Sequence, residues 1–316
     1  MRAEILMVLV SGLLSAALCA VLIPVLKRRG ARQYILGYVE EHKGKMGTPT
    51  MGGLFFVAAV ALCALFFGLY ADRHTLVAVT FGGACMAVGF LDDFLKFHFH
   101  RNLGLRAWQK IVFQIAIALF AGIYCVLNEL TVLNIPFTGL SFDIGIWMLP
   151  CVAFVFIAAV NCVNLTDGLD GLAASVGFWY FAAFAALIFL TGGGQALGRL
   201  SLMLCGALAG YLLFNTYRAA VFMGDTGSLS LGGFAAAIAA FTGNLLYVAI
   251  IGIMFVCSGI SVILQVIYYK RTKKRLFLMA PLHHHFQKKG YSESRIAYVY
   301  SLITAAAGLI CLIFVR

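Results

Sequence analysis

Long apolar runs separated by short polar segments make up almost the whole chain. Most runs are close to the ~20 residues that an α-helix needs to cross the hydrocarbon core of a bilayer. The alternating ten-residue strands of an outer-membrane barrel are not seen. The pattern predicts an all-α, polytopic integral membrane protein with ten transmembrane helices. The ten runs lie at about 4–26, 52–70, 75–91, 108–127, 145–163, 171–190, 197–214, 228–241, 244–268 and 296–315.

The eighth run, 228–241, is short and rich in glycine and alanine. A helix of this kind is exposed to lipid less readily than one rich in leucine and phenylalanine. We expect it to be tilted, broken or buried among its neighbours.

Composition indicates the class of protein, and the distribution of charge predicts which side of the membrane each loop faces. A chain of 316 residues with 63% hydrophobic residues, 11% charged residues and a mean hydropathy of +0.98 is not a soluble globular protein. If both termini lie outside, the inner loops contain 19 of the 23 lysine and arginine residues. The net charge of +11 then follows from the positive-inside rule and does not indicate a nucleic-acid partner. We expect a single transmembrane catalytic domain over 1–316, with its active site built from the cytoplasmic loops at about 27–51, 92–110, 164–170, 215–227 and 269–295.

Five aspartates, Asp92, Asp93, Asp167, Asp170 and Asp225, lie at the predicted inner ends of spans. Acidic groups at membrane depth are unfavourable and usually functional. One structural alternative is helix capping by Asp170 and Asp225. Another is that Asp92 and Asp93 are solvated carboxylates at a helix end. However, all five carboxylates are predicted on one face of the membrane, and the two later loops offer them no lysine or arginine partner. This favours a hard cation such as Mg²⁺ or Mn²⁺ and metal-assisted phosphate chemistry. The pair Asp92-Asp93 does not begin an Asp-Asp-x-x-Asp motif, because the fifth position is Lys96.

Three adjacent histidines, His283, His284 and His285, lie in the last inner loop. A zinc site is one reading of them, but three consecutive residues cannot all face one metal from a regular helix or strand. Donation to a phosphate or diphosphate fits the carboxylates better. The basic run at 270–275 is typical of a segment that contacts lipid headgroups.

The segment 43–53, before the second span, is rich in glycine and contains Pro49. It is either a close-packed turn or a phosphate-facing loop with Lys45 and the threonine hydroxyls as donors. The amides of Asn161, Asn164 and Asn215 at the inner ends of spans need partners, which a uracil or a sugar would supply.

Five motifs occur along the chain in a fixed order. They are Lys45-Met46-Gly47-Thr48-Pro49-Thr50-Met51-Gly52-Gly53, Asp92-Asp93, Asn161 to Gly171, Phe222-Met223-Gly224-Asp225-Thr226-Gly227-Ser228 and Pro281-Leu282-His283-His284-His285-Phe286. With these motifs the chain resembles, over practically its whole length, the phospho-N-acetylmuramoyl-pentapeptide-transferase family of the polyprenyl-phosphate N-acetylhexosamine-1-phosphate transferase superfamily. The aspartate and asparagine motifs are shared by the superfamily, whereas the first and last motifs favour the muramoyl-pentapeptide branch.

The resemblance implies a reaction and a setting. It implies transfer of phospho-MurNAc-pentapeptide from UDP-MurNAc-pentapeptide to undecaprenyl phosphate, which forms lipid I and UMP in peptidoglycan biosynthesis. It also implies a Mg²⁺ requirement, ten transmembrane helices with both termini outside, a homodimer, and a bacterial cytoplasmic membrane with the active site facing the cytoplasm. The alternatives are a GlcNAc-1-phosphate transferase of the same superfamily and, from another class, a cation-coupled transporter.

The resemblance also implies roles for individual residues. Asp225 matches the Mg²⁺ ligand, Asp92 and Asp93 match the catalytic aspartate pair, and His283 matches the most important loop histidine. Gln287 departs from the family, which often has Glu there, and this affects only a peripheral charge. The expected substrate-binding residues are Lys45, Thr50, Asn164, Asp167, Gly168, Leu169, Asp170, Asn215, Phe222, His284 and His285.

Two mechanisms are compatible with these residues. In the first, the lipid phosphate attacks the sugar-linked phosphorus in line, with Asp92 positioning or deprotonating it. A phosphate monoester is largely ionised at neutral pH, so a strong base is not obligatory. In the second, an aspartate such as Asp93 attacks first and forms a covalent intermediate.

Overall fold

The computed structural model describes residues 2–29, 47–99 and 104–315. Within these ranges the chain forms α-helices and one short β-hairpin. The elements are α1 Arg2–Arg29, α2 Gly53–Phe66, α3 Arg73–His98, α4 Ala107–Leu127, β1 Val132–Asn134, β2 Ser141–Asp143, α5 Met148–Thr166, α6 Leu172–Thr191, α7 Gln195–Asn215, α8 Gly224–Phe241, α9 Tyr247–Ile251, α10 Ile253–Thr272, α11 Leu282–Lys288 and α12 Glu293–Ile313.

Eight helices of the described chain are long and apolar enough to cross a membrane: α1, α3, α4, α5, α6, α7, α10 and α12. The chain is therefore a polytopic membrane protein, as its sequence predicts. The two other predicted spans correspond to α2 and α8. Helix α2 has 14 residues, which at about 1.5 Å per residue gives roughly 21 Å, less than the hydrocarbon thickness.

Helix α8 lies at the centre of the fold. Every residue from Thr226 to Phe241 is buried in protein, and the helix packs on α3 and α5 and, over a shorter length, on α2. Its glycines and alanines allow neighbouring backbones to approach closely, which lipid-facing helices do not need. The sequence-based expectation that this segment is buried among its neighbours is confirmed.

Helix boundaries differ from the predicted spans at two places that matter. Helix α3 continues to His98, so Asp92 and Asp93 are helical residues and not part of a loop. The predicted ninth span is interrupted at Gly252, which separates α9 from α10. The β-hairpin was not predicted. It is short, and its turn has positive φ angles at Phe137 and Gly139.

Glycine permits two backbone contacts that assemble the inner end of the fold. A Cβ on Gly53 would overlap the backbone of Gly227, and a Cβ on Gly89 would overlap the carbonyl of Asp225. The two contacts hold α2 and α3 directly against the start of α8. Because the overlap is with backbone and not with a flexible side chain, the neighbours cannot yield easily.

We expect Gly89→Ala to lower the melting temperature of the detergent-solubilised protein. Overpacking of this kind destabilises by about 1–3 kcal/mol or more. Gly83→Ala is the matched control, because Gly83 lies in the same helix and an added Cβ there meets no atom of a neighbouring helix within 4 Å in the described chain. The control should be neutral or stabilising by up to about 1 kcal/mol, since alanine is the better helix former. Equal melting temperatures for the two variants would contradict the close α3–α8 contact.

Candidate active site

Asp92, Asp93 and Asp225 form an acidic cluster where α3 meets the first turn of α8. One carboxylate oxygen from each residue lies within 4.8 Å of the others. Asp92 is fully buried, Asp93 is 2% exposed, and the side chain of Asp225 is 17% exposed. Asp225 is therefore the member of the cluster that a ligand can reach most directly.

Two lysines share the charge of the acidic cluster. Lys110 Nζ, from α4, lies 3.0 Å from Asp92 Oδ1 and 2.5 Å from Asp225 Oδ2. Lys96 Nζ, one turn beyond the aspartate pair on α3, lies 2.5 Å from Asp92 Oδ2 and 3.7 Å from an oxygen of both Asp93 and Asp225. The partners of Asp225 thus come from other helices, not from its own loop, where the sequence shows no close lysine.

Asp93 acts as a helix cap for α8. Its Oδ2 accepts hydrogen bonds from the backbone N–H of Thr226 at 3.0 Å and from the Thr226 hydroxyl at 2.7 Å. A carboxylate at a helix N-terminus satisfies a free N–H group and interacts favourably with the helix dipole. Asp93 and Asp92 are consecutive residues but have different environments.

Capping does not account for Asp225 or Asp170. The Asp225 carboxylate faces Lys110, Lys96 and the Asn164 amide, whose Nδ2 donates to Asp225 Oδ1 at 3.1 Å. Asp170 precedes Gly171, the N-cap of α6, and its Oδ2 accepts the backbone N–H of Ala219 at 3.1 Å. The capping alternative therefore fails for both residues.

Asn164 fixes Asp225 from the side of α5. Its Nδ2 also donates to Ser228 Oγ at 2.8 Å. One turn earlier, Asn161 Nδ2 donates to Gln114 Oε1 at 2.7 Å, which ties α5 to α4 next to Lys110. The predicted amide partners of Asn161 and Asn164 are protein groups in this structure.

The glycine-rich segment before α2 pairs with the motif that contains Asp225. The Phe222 N–H donates to the Pro49 carbonyl at 2.8 Å, and the Gly52 N–H donates to the Phe222 carbonyl at 2.9 Å. Thr50 is buried, and its Oγ1 lies next to Gly224 and near the Asp93 carboxylate. The Phe222 side chain is half-buried. Lys45 lies outside the described residues.

The loop Asp167–Asp170, which joins α5 to α6, is held from two further directions. The Gly171 N–H donates to Asn215 Oδ1 at 3.2 Å, and the Asp170 N–H donates to Glu293 Oε2 at 3.1 Å. Leu169 is buried in the core. Burial, and after it the negative charges of Asp225, Asp93 and Asp170, raise the pKa of Asp167 to about 8. In its protonated form, which this shift favours, the carboxyl group can donate a hydrogen bond.

His283 and His284 on α11 both bring Nε2 to Gly168, whereas His285 faces Leu278, so the three histidines do not converge on one metal. His283 is fully buried beneath the loop, with its Nε2 so close to Gly168 that a side chain there would overlap it. His284 Nδ1 lies 3.0 Å from Gln287 Oε1, and His285 Nδ1 accepts the Leu278 N–H at 3.1 Å. Within the described ranges neither ring nitrogen of His283 has a hydrogen-bond partner, and burial holds the pKa of this imidazole well below its usual value. A buried polar group without a partner is rare in native proteins and points to a ligand.

The structure corrects the expectation that Gln287 affects only a peripheral charge. Its side chain is half-buried and contacts two neighbours, because Gln287 Nε2 also donates to Glu293 Oε1 at 3.4 Å. Glu293 is 8% exposed. The residue therefore lies inside the network that joins α11 to α12.

Sequence reasoning missed Lys96, Lys110 and Glu293. The spacing of Lys96, three and four residues after the aspartate pair, places it on the same helix face, and this signal was present. Lys110 lies three residues inside an apolar span, where a cation needs a partner. Glu293 shows no such signal, because an acidic residue in the first turn of a helix is common.

The acidic cluster fits a divalent metal by its donor set. Three carboxylates within reach of one another are hard oxygen ligands of the kind that Mg²⁺ takes, usually one or two at a time together with phosphate oxygens and water. Asp225 is partly accessible, and the two ammonium groups that neighbour it can turn toward a phosphate. The acidic cluster therefore offers ligands for a metal, and the two lysines beside it offer donors for a diphosphate.

Comparison with known proteins agrees with this arrangement. Residues 74–243 match the family described as Glycosyl transferase family 4, and this range includes α3 to α8 with the whole acidic cluster. The fold and the site thus define a multi-pass membrane transferase of that family.

Curated relatives specify the branch. The chain is 41% identical to phospho-N-acetylmuramoyl-pentapeptide-transferase of Oceanobacillus iheyensis, over 94% of this chain and 93% of the relative. It is 40% identical to the protein of the same name from Clostridioides difficile, over 87% and 86%, and 42% identical to that of Clostridium botulinum, over 87% and 83%. The chain belongs to the phospho-N-acetylmuramoyl-pentapeptide-transferase family. This confirms the resemblance found in the sequence, and the bacterial relatives imply a cytoplasmic membrane location.

Proposed function

We propose that the acidic cluster is the catalytic centre at which this chain transfers phospho-MurNAc-pentapeptide from UDP-MurNAc-pentapeptide to undecaprenyl phosphate, with lipid I and UMP as products. Family membership supports the reaction, which is EC 2.7.8.13 in peptidoglycan synthesis. One observation supports this location of the catalytic centre. Asp92, Asp93 and Asp225 lie together with Lys96 and Lys110 at one end of α3 and α8.

Mg²⁺ is the metal that we propose for this site, with Asp225 as its main protein ligand. The chemistry it supplies when bound is charge neutralisation on the diphosphate and on the departing UMP. Asp92 holds the ammonium groups of Lys96 and Lys110 in place through its two oxygens. Both lysines then lie where a diphosphate held at Asp225 would meet them.

We favour direct in-line attack by the lipid phosphate over a covalent aspartyl intermediate. Asp93 Oδ2 accepts two hydrogen bonds at the start of α8, and the residue is 2% exposed. Asp92 is fully buried and paired with two lysines. A nucleophile needs a free, accessible oxygen, whereas the ionised acceptor phosphate carries its own.

The uridine donor is assigned to the loop Asp167–Asp170 with Asn215 and Phe222. Gly168 and Leu169 offer backbone groups, the half-buried ring of Phe222 offers a stacking face, and protonated Asp167 offers a donor for a uracil carbonyl. His283, His284 and His285 adjoin this loop from α11, and the ring nitrogens of buried His283, which lack a partner in the described chain, are assigned to the diphosphate. Lys45, Thr50 and Asn164 complete the proposed substrate-binding set.

The arrangement in the membrane follows from charge and family. We propose ten membrane-embedded helices with α2 and α8 included, both termini outside and the acidic cluster facing the cytoplasm, where the positive-inside rule places the basic loops. A homodimer is proposed from the family alone.

The decisive experiment measures UMP release by the purified protein in detergent with undecaprenyl phosphate and Mg²⁺. We expect release with UDP-MurNAc-pentapeptide, none with UDP-GlcNAc, and loss of activity in EDTA. Release with UDP-GlcNAc alone would overturn the assigned donor. Absence of release with either donor from folded protein would overturn the transferase assignment of this site.

A further inference from the structure

A hydrogen-bonded chain runs from the loop Asp167–Asp170 to α11 through a residue outside the acidic cluster. Glu293, in the first turn of α12, accepts the Asp170 N–H with Oε2 at 3.1 Å and the Gln287 side-chain amide with Oε1 at 3.4 Å. The Gln287 oxygen in turn lies 3.0 Å from His284 Nδ1. One carboxylate therefore contacts both the loop and the histidine helix.

The chemistry of this chain fixes the direction of each hydrogen bond. Both Glu293 oxygens accept hydrogen bonds here, so the Gln287 NH₂ group faces Glu293. The amide oxygen then faces His284, and His284 Nδ1 must carry the hydrogen. The other nitrogen of this ring, Nε2, lies next to Gly168 of the loop. Glu293 thus determines, through Gln287, whether the Nε2 of His284 that faces the loop carries a hydrogen.

We propose that Glu293 is a positioning residue for the donor substrate, which clamps the loop Asp167–Asp170 against α11 and selects the Nδ1–H tautomer of His284. This inference rests on the proposed function, because it assumes that the loop binds the uridine donor. Glu293 touches no reacting atom in this scheme. Its replacement should therefore affect the binding of UDP-MurNAc-pentapeptide and not that of undecaprenyl phosphate.

Glu293→Gln tests the proposal with almost no change in shape. The new NH₂ group must face either the Asp170 N–H or the Gln287 NH₂, and both are donors. If the Gln287 amide turns over to relieve the conflict, it presents NH₂ to His284 and shifts the ring hydrogen to Nε2. We expect a rise of about tenfold in the donor KM, the size of one lost charge-assisted hydrogen bond. The KM for undecaprenyl phosphate should stay within about twofold of the parent value by the same scale.

Addition of Gln287→Glu to this variant should restore the donor KM. In the double variant the new amide at position 293 donates to the new carboxylate at position 287 and accepts from the Asp170 N–H. That carboxylate also accepts from His284 Nδ1, so every donor again faces an acceptor. Glu129→Gln, on an exposed turn after α4, is the control for the chemical change itself. A merely structural role for Glu293 instead predicts that Glu293→Gln raises the KM for undecaprenyl phosphate as much as the KM for UDP-MurNAc-pentapeptide.

Two further readouts separate this inference from the proposed reaction. Hydrogen exchange of residues 166–171 should accelerate in Glu293→Gln, and ¹⁵N NMR of labelled histidine should show the His284 hydrogen moving from Nδ1 to Nε2. Both are measured without turnover, so they remain decisive if the parent protein fails to release UMP. A parent-like donor KM in Glu293→Gln, or a double variant that stays as impaired as the single one, would overturn the proposal.

Discussion

Replacement of Asp225 by asparagine is expected to reduce turnover by about 10²- to 10³-fold while the protein remains folded. The substitution keeps the shape of the side chain but removes the negative charge that is most accessible to a metal in the acidic cluster. It also places an NH₂ group opposite either Lys110 or the Asn164 amide, which are donors. The predicted loss is in kcat, because a cation held by Asp225 would offset the charge on UMP as it leaves.

The matched control for Asp225→Asn is Asp143→Asn, the same change on the exposed strand β2. UMP release at several Mg²⁺ concentrations measures the activity, and Mn²⁺ binding by electron paramagnetic resonance measures the metal directly. Weaker Mn²⁺ binding by Asp225→Asn than by Asp143→Asn is expected. Full Mg²⁺-dependent turnover in Asp225→Asn would remove the assigned metal role.

The membrane class and the family were predictable because both depend on local sequence. Apolar run length identified the eight helices of the described chain that are long enough to span a bilayer, and contiguous motifs identified the relatives. Apolar run length did not predict the lengths of α2 and α8. Helix α8 is surrounded by protein, so its apolar residues satisfy packing against α3 and α5 and not contact with lipid.

The candidate site was predictable in its acids but not in its partners. Aspartates at the ends of spans stand out because burial of their charge is unfavourable. The pairing of Asp225 with Lys110 depends on how α4 and α8 are placed relative to α3, and no local pattern encodes that placement. The same holds for Asp93, whose role as a cap for α8 follows from the glycine contact between Gly89 and the Asp225 carbonyl.

Consecutive residues can therefore have separate functions in this site. Asp92 is paired with two lysines and Asp93 with the N-terminus of a helix. Loss of the Asp92 carboxylate removes the contact that holds the ammonium groups, whereas loss of the Asp93 carboxylate removes a cap from the central helix. The first change acts on the charges of the acidic cluster, and the second acts on the fold that places Asp225.

Lys110→Met is expected to lower kcat by about 10²-fold or more, with a smaller effect on the donor KM. Lys110 Nζ contacts Asp92 and Asp225 from a third helix, and it meets both carboxylates at 3.0 Å or less. With a cation held at Asp225, this ammonium would be free to turn to the diphosphate and to offset charge that develops as UMP leaves. Methionine keeps an unbranched side chain that is one atom shorter, and it removes the charge together with the N–H donors.

Lys110→Arg and Lys27→Met make the test of Lys110 specific. Arginine keeps the charge but broadens the head group, so partial activity is expected. Lys27 is an exposed lysine near the end of α1, and its replacement controls for the loss of one positive charge from the protein. Because removal of Lys110 leaves the buried Asp92 with one partner fewer, the melting temperature must be measured in parallel. A folded Lys110→Met protein with the same kcat as Lys27→Met would show that Lys110 only balances charge in the resting site and takes no part in the transfer.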